Sequence, residues 1–336
     1  MMGVINMDNT ENILAEYSSH PSSYLALNKK VSVFQPKGYS GIIAYRDQGR
    51  FRIGVAGISS PHEEKIELLK LFMAKAKSSK KYVIMVQCGM EDAIILSENG
   101  FVVNQLGSSY LKLIDNYTLS GSRFVKLRNK ISRAKRAHIT IKEVGVDIPA
   151  NTELQSQIRT IDIEWLKKKK SSELEFLIGE IGNIDKGLPV SKRLFVACKD
   201  QTTVAYILYS RTYGNYKGWM HDLTRRANSA PVGVMEHINS YAMDKFKNEG
   251  ETYLHFGFTP LADLDKSNEN EFSNSRIFGH MSSWLSRHGA FIYPMETQLK
   301  YKKKWYPDVR FCEYIAFEGR FRFVGLLQFL KLTKII

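Results

Sequence analysis

Apolar positions along the chain switch repeatedly between helical spacing and short continuous or alternating runs, a pattern that predicts a mixed α/β fold. Gly41 to Tyr45 and Phe51 to Ala56 are β-prone and flank Asp47-Gln48-Gly49, which predicts a hairpin. Ile66, Leu69, Phe72, Met73 and Ala76 then recur at helical spacing between Glu63 and Ser78, and Tyr82 to Gln87 reads as a buried strand. Glu91 to Asn99 predicts a short helix that Gly100 can close, followed by two strands, Phe101 to Leu106 and Tyr110 to Ile114. The second half uses the same grammar. Helices are expected over 152–169, 232–248 and 277–287, strands over 194–199, 204–210, 216–223, 252–256, 291–293 and 312–317, and a terminal helix over 321–334. This order predicts two related mixed α/β units with a boundary near 117–149, although no residue-level repeat links them.

Composition narrows the partners. The 336 residues, 43% hydrophobic and 24% charged, give room for two compact halves. A formal charge of +14 predicts an acidic partner such as tRNA, a phospholipid surface or a phosphorylated cofactor. Cys88, Cys198 and Cys312 are odd in number and lack C-x-x-C spacing, which argues against a disulfide framework or zinc site and for small buried apolar residues. His221, His255, His280 and His288 show no metal-ligand spacing, so no metal is expected. The polar, partly acidic start, Met1 to Glu16, is unlike a secretory signal, and no apolar run approaches the roughly 18 to 20 residues of a membrane span. The expectation is a cytoplasmic protein, with peripheral contact to the inner face of the membrane open to it.

Between Ser120 and Arg136 the chain carries Arg123, Lys126, Arg128, Lys130, Arg133, Lys135 and Arg136 and no acid, while Phe124, Leu127, Ile131 and Ala134 form one apolar stripe. A solvated face would be the bland explanation. However, seven uncompensated cations on one helix repel each other, and a row of nucleic-acid or lipid phosphates relieves that repulsion.

Three later segments bear the chemistry: Met220-His-Asp-Leu-Thr-Arg-Arg226, Ala230-Pro-Val-Gly-Val-Met-Glu236 and Tyr253-Leu-His-Phe-Gly-Phe-Thr-Pro-Leu-Ala262. With them go Gly121 through Leu127-Arg128-Asn129, Glu164-Trp165-Leu166 with Glu173 and Phe176, and Lys302-Lys-Lys304-Trp305-Tyr-Pro307 with Arg310. In this order they resemble the C-terminal catalytic region of the phosphatidylglycerol lysyltransferases, the multiple peptide resistance factors, over roughly residues 20 to 318. Ser22 to Leu27 and Gly41 to Tyr45 sit where that family opens its first unit. The chain departs from the family's pattern at Tyr293 to Leu299, where the family usually reads Phe-x-Gly-Leu-Arg, and at Glu236, which stands for the usual Asp. The family's transmembrane flippase half is absent, so lipid translocation is not expected of this chain.

The resemblance implies two tandem GNAT-like acyltransferase units. The division is a tail at 1–19, a first unit at 20–119, the basic helix and connector at 120–149, a catalytic unit at 150–318 and an amphipathic terminal helix at 319–336. It further implies transfer of lysine or another amino acid from aminoacyl-tRNA to phosphatidylglycerol or a related lipid, with no metal or redox cofactor. The donor ester is already activated, and the product is another ester of similar energy, so positioning and oxyanion stabilisation suffice.

By the same resemblance Asp222 takes the substrate ammonium or the acceptor proton, and Arg225 a phosphate or the developing oxyanion. Lys302 and Lys304 supply cationic contacts, and Arg128, Arg133, Arg136, Arg226, Glu173 and Arg310 serve substrate or tRNA binding. A structural ion pair would equally account for Asp222 and Arg225, and a solvated basic loop for Lys302 and Lys304. Alternation on a strand would turn His221 away from Asp222. An acyl-CoA-dependent N-acyltransferase is the nearest rival, but Pro231 falls at the first glycine of the phosphate cradle, Asn228 to Gly233, and has no N–H to donate. A tRNA-dependent enzyme with a soluble acceptor, or a non-catalytic adaptor, would also be compatible with these residues. At the C-terminus Phe321, Val324, Leu327, Leu330 and Leu332 with Arg320, Arg322, Lys331 and Lys334 describe either a membrane-surface anchor or a helix packed on the core.

Overall fold

The structure is a computed structural model that describes residues 7–169, 176–269, 271–288 and 295–334. Its centre is one mixed sheet. The first half supplies β1 (Ser32–Phe34), β2 (Ile42–Gln48), β3 (Phe51–Ser59), β4 (Tyr82–Cys88) and β5 (Phe101–Leu113), with α2 (Lys65–Ser78) between β3 and β4 and α3 (Met90–Glu98) after β4. The second half supplies β6 (Thr140–Glu143), β7 (Lys192–Lys199), β8 (Thr202–Thr212), β9 (Gly218–Arg226), β10 (Tyr253–Pro260) and β11 (Val309–Glu318), with α6 (Val234–Asn248) between β9 and β10. The strand order is β1-β2-β3-β4-β11-β5-β10-β9-β8-β7-β6.

Outward from the central β11–β5 pair, the two sides mirror each other. On one side β11–β4 is antiparallel, β4–β3 parallel and β3–β2 antiparallel. On the other, β5–β10, β10–β9 and β9–β8 repeat that sequence. Parallel neighbours need a crossover, which α2 and α6 provide in the two halves. The sheet is also interlocked, because β11, from 309–318, sits between two strands of the first half.

In both halves the parallel ladder ends early. β3 and β4 pair from Phe51↔Tyr82 to Val55↔Val86, although β3 runs on to Ser59. β9 and β10 pair only from Gly218↔Tyr253 to Met220↔His255, although they run on to Arg226 and Pro260. Bulges mark both partings: Gln87 is extra on β4 against β11, and Phe256 is extra on β10 against β5. In the first half the parting is plugged. Asp92 of α3 accepts from the Ile58 N–H at 3.2 Å and from Lys65 at 3.3 Å, and a Cβ on Gly57 would lie 1.8 Å from its carboxylate.

The helices follow the apolar periodicity. α2 buries Leu68, Leu69, Phe72 and Ala76, leaving Ile66 exposed, and α6 buries Ile238, Ala242, Met243 and Phe246. α4 (Val125–Arg136) buries Leu127, Ile131 and Ala134, and α5 spans Thr152–Lys169 as expected. Four features refine the sequence pattern, each with a physical cause. Residues 7–17, expected as a tail, form α1 (Met7–Tyr17), whose Ile13 and Leu14 enter the core. The two strands expected between 101 and 114 are one, β5. Its small polar centre, Gly107-Ser108-Ser109, looks like a turn, yet it is paired on both edges, and its hydroxyls reach Ala262 O and Glu313. Lys302 lies in the last turn of a helix, α8 (Met295–Lys303), and not in a basic loop. The terminal helix α9 (Phe323–Leu332) buries Leu326, Phe329 and Leu332, and a Cβ on its Gly325 would meet Ile84 at 2.8 Å, so one side packs on the core, while Phe323 and Val324 stay exposed at its start. The strand expected at 291–293 lies outside the described residues.

Candidate active site

The main motifs border the parting of β9 and β10. β8 and β9 are in register at Leu208↔Leu223 and again at Tyr209↔His221, so Asp222 is the extra residue of a bulge just beyond the last β9–β10 pair. A bulge re-aims a side chain, here onto three donors. The Gly179 N–H reaches Asp222 at 2.9 Å, the Ser210 hydroxyl at 2.7 Å, and the Tyr24 hydroxyl also donates to it. Burial raises the pKa of Asp222, while these donors and the nearby Lys192 pull it down. An ionised carboxylate has about four acceptor sites, so about one remains for a substrate donor.

Tyr24 belongs to a short 3-10 turn, Ser23–Leu27, whose segment lines the site from the N-terminal side. Four residues earlier, His20 bonds Glu313 of β11 at 2.9 Å, and Glu313 also accepts from Ser109. All three are buried. The Ser22 N–H donates to His20 Nδ1 at 3.1 Å, which puts the ring proton on Nε2 facing Glu313. Burial opposes charge on His20, but Glu313 overcomes it and raises the pKa; the Ser22 contact keeps the neutral tautomer in this structure. Residues 20–24 thus join Asp222 on one side to Glu313 on the other.

Lys302 closes the opposite wall. Its Nζ donates to the Gly257 and Phe258 carbonyls, both at 2.8 Å, on the part of β10 that has left β9. The residue is 8% exposed, and burial brings its pKa down to about 7, with Glu313 opposing the shift. Two bonds donated by a neutral amine leave its lone pair unused. Lys304 donates to Glu236 at 2.6 Å and lies 3.6 Å from the centre of the Tyr301 ring; burial lowers it to about 8, Glu236 opposing. Glu236 also takes Lys130 of α4 at 3.1 Å, so one buried carboxylate ties α4, α6 and the 302–304 segment together. Gly233, at φ +92, caps α6 where a Cβ would lie 2.0 Å from Lys130 O, so the motif's glycine is a contact requirement.

The remaining residues divide by exposure. Arg225 is 5% exposed, stacked on Trp165 at 3.7 Å with Asp162 at 3.7 Å, which is the packing of an internal cation. Arg128 turns back to the Leu119 and Gly121 carbonyls at 2.5 and 2.7 Å and fixes the entry to α4. Arg133, Arg136, Arg226 and Arg310 are exposed, and Glu173 lies outside the described residues. His221 points away from Asp222, against Tyr301 and Phe256, and burial with the charges of Lys302 and Lys304 lowers it to about 3, so it is neutral. Among the described residues no group of His, Cys, Asp and Glu could hold a metal ion. A polar cleft of about 290 Å³ lies elsewhere, between Gln105, Asp265, Glu269 and Arg276, and none of the motif residues lines it. The sequence pattern missed Tyr24, His20, Glu313 and Lys192. Only Tyr24 carried a signal, within the Ser22 to Leu27 segment.

A single mixed sheet with two mirrored halves, each parting at its parallel pair, is a GNAT-like α/β fold. Residues 11–317 match the family described as phosphatidylglycerol lysyltransferase, C-terminal. The chain belongs to that family. A phosphatidylglycerol lysyltransferase of Bacillus subtilis (strain 168) is 23% identical over 287 residues, covering 85% of this chain but 32% of that protein, so the chain spans about a third of this relative's length. Among solved structures, the C-terminal domain of a putative lysylphosphatidylglycerol synthetase from Agrobacterium fabrum superposes with a TM-score of 0.78 at 20% identity, covering 98% of this chain and 96% of that one. L-PGS from Bacillus licheniformis superposes with a TM-score of 0.75 at 21% identity, covering 98% and 97%.

Proposed function

We propose that the chain is an aminoacyltransferase unit that moves an aminoacyl group, lysine foremost, from tRNA to the hydroxyl of phosphatidylglycerol or a related anionic lipid. The observation that carries this is that two family motifs, Asp222 of β9 and Lys302 held on the β10 carbonyls, border the place where those strands separate. In the proposed reaction the lipid hydroxyl oxygen attacks the ester carbonyl carbon. The free amine of Lys302 takes the hydroxyl proton, and a pKa of about 7 suits that task. The tetrahedral adduct then collapses, the bond to the ribose oxygen breaks, and that oxygen recovers the proton. Asp222, with its remaining acceptor site, holds the ammonium of the aminoacyl group. Lys304 supplies positive charge beside the adduct, and Arg225 positions the end of β9 through Trp165 and Asp162.

The exposed cations of α4, Arg133 and Arg136 among them, take tRNA phosphates, while Arg226 and Arg310 are the outlying phosphate contacts. No metal, redox cofactor or CoA takes part, and the chain works at the inner face of the membrane. The two mirrored halves are the two GNAT-like units, and the plug at Asp92 leaves the chemistry to the second. The test is a donor comparison in the presence of a chelator. Label is expected to leave aminoacyl-tRNA without ATP or CoA, and turnover that needed acetyl-CoA and ignored tRNA would reject the proposal.

A further inference from the structure

Helix α7 (Arg276–His288) turns Phe278 and Ser282 inward, yet leaves Ile277 71% and Trp284 59% exposed. The two are seven residues apart, two helical turns, and so share one outward face. Arg276, His280 and Arg287 are also exposed, and the helix has no acidic residue. Two large apolar side chains, one of them a tryptophan, among basic residues are the marks of a helix that lies in a headgroup interface. The placement fits as well. Ser286 donates to the Leu261 carbonyl at 3.1 Å, and Leu261 directly follows β10, whose end, parted from β9, bears the carbonyls that hold Lys302. Helix α7 therefore lies over the end of the sheet where β9 and β10 part, with the Ile277 and Trp284 face turned outward.

From this exposed face we infer that α7 docks the protein on a bilayer of anionic phospholipid, with Ile277 and Trp284 entering the interface and Arg276 and Arg287 meeting the headgroups. The inference rests on the lipid acceptor proposed above and names the surface that reaches it. The occupant is an anionic bilayer because Ile277 and Trp284 offer apolar surface to its interface and Arg287 stands exposed on the same helix, which has no acidic residue, while Arg276 also borders the cleft of Asp265 and Glu269.

The experiment uses the full chain and vesicles of phosphatidylglycerol. The wild type is expected to sediment with them, while the variant Ile277→Ser with Trp284→Ser loses at least tenfold in partition at an unchanged thermal transition. A second variant, Arg276→Gln with Arg287→Gln, is expected to lower partition and flatten its dependence on salt. Transfer to a short-chain, water-soluble phosphatidylglycerol should survive both pairs of changes. Equal partition of both variants and wild type would overturn α7 as the dock while leaving the lipid acceptor in place. Loss of self-association in the variants, with vesicle binding intact, would overturn it in favour of a second copy of the chain. If the wild type ignores the vesicles, α7 fails as a dock, and absence of transfer to the soluble lipid would end the lipid proposal too.

Discussion

At Lys302 a base and a cation make opposite predictions. Burial brings this amine from the ordinary lysine range to about 7, so the free base is populated above that value. If it takes the acceptor proton, kcat/KM rises with pH through about 7 and then levels. Lys302→Arg, which cannot lose its charge, should remove both the limb and most of the activity. A rate that falls through the same interval would make Lys302 an electrostatic contact only. Asp222 and Tyr24 permit a graded test. Asp222→Asn should cost roughly 10²- to 10³-fold in turnover, as loss of a preorganised charged group does. Tyr24→Phe removes one hydrogen bond to a half-buried carboxylate and should cost about 1.5 to 3 kcal/mol of stability with a smaller loss of rate. Equal activity of Tyr24→Phe and wild type would make that bond structural only. Asp222 and Lys302 were legible in the sequence because each sits in a motif. His20 and Glu313 were not, since their bond joins residues 293 positions apart and leaves no local periodicity.

Helix α4 shows how far a sequence pattern reaches at the level of an element. Its apolar stripe and cationic remainder were visible, and Leu127, Ile131 and Ala134 are buried as that stripe requires. The division of labour among its arginines was not, because it depends on carbonyls at Leu119 and Gly121 that only the fold brings within reach. Arg133→Ala with Arg136→Ala should lower the salt slope of tRNA binding by about two units at an unchanged thermal transition, whereas Arg128→Ala should lower the transition itself. An unchanged slope would remove tRNA from this face. The contact of α4 with α6 makes a sharper claim. Gly233→Ala forces a left-handed φ on an L-residue and a Cβ against Lys130 O, which should cost about 2 to 4 kcal/mol in denaturant unfolding. A cost near zero would mean that the two helices are not in contact as described. β5 was misjudged and α8 not foreseen for complementary reasons: small polar residues can fill a strand that is paired on both edges, and a run of lysines can end a helix when one of them, Lys302, is buried.

Across the whole molecule, the sequence suggested two similar units from the order of elements, and the mirrored sheet gives that order a geometry. The exchange of β11 into the first half could not be read from local pattern, because a strand's partners depend on topology and not on its own residues. The same exchange carries Glu313 to His20 and Ser109, so the centre of the sheet and the proposed site share one buried network. The central claim is transfer of an aminoacyl group from tRNA to a lipid. It is tested most directly by incubating the chain with tRNA charged with labelled lysine and phosphatidylglycerol vesicles, then partitioning the label between organic and aqueous phases. Label in the organic phase as an ester of phosphatidylglycerol, lost with Asp222→Asn and Lys302→Arg, is the expected result. Label that stays aqueous with the wild type, as tRNA ester, free lysine or a modified soluble acceptor, would contradict it.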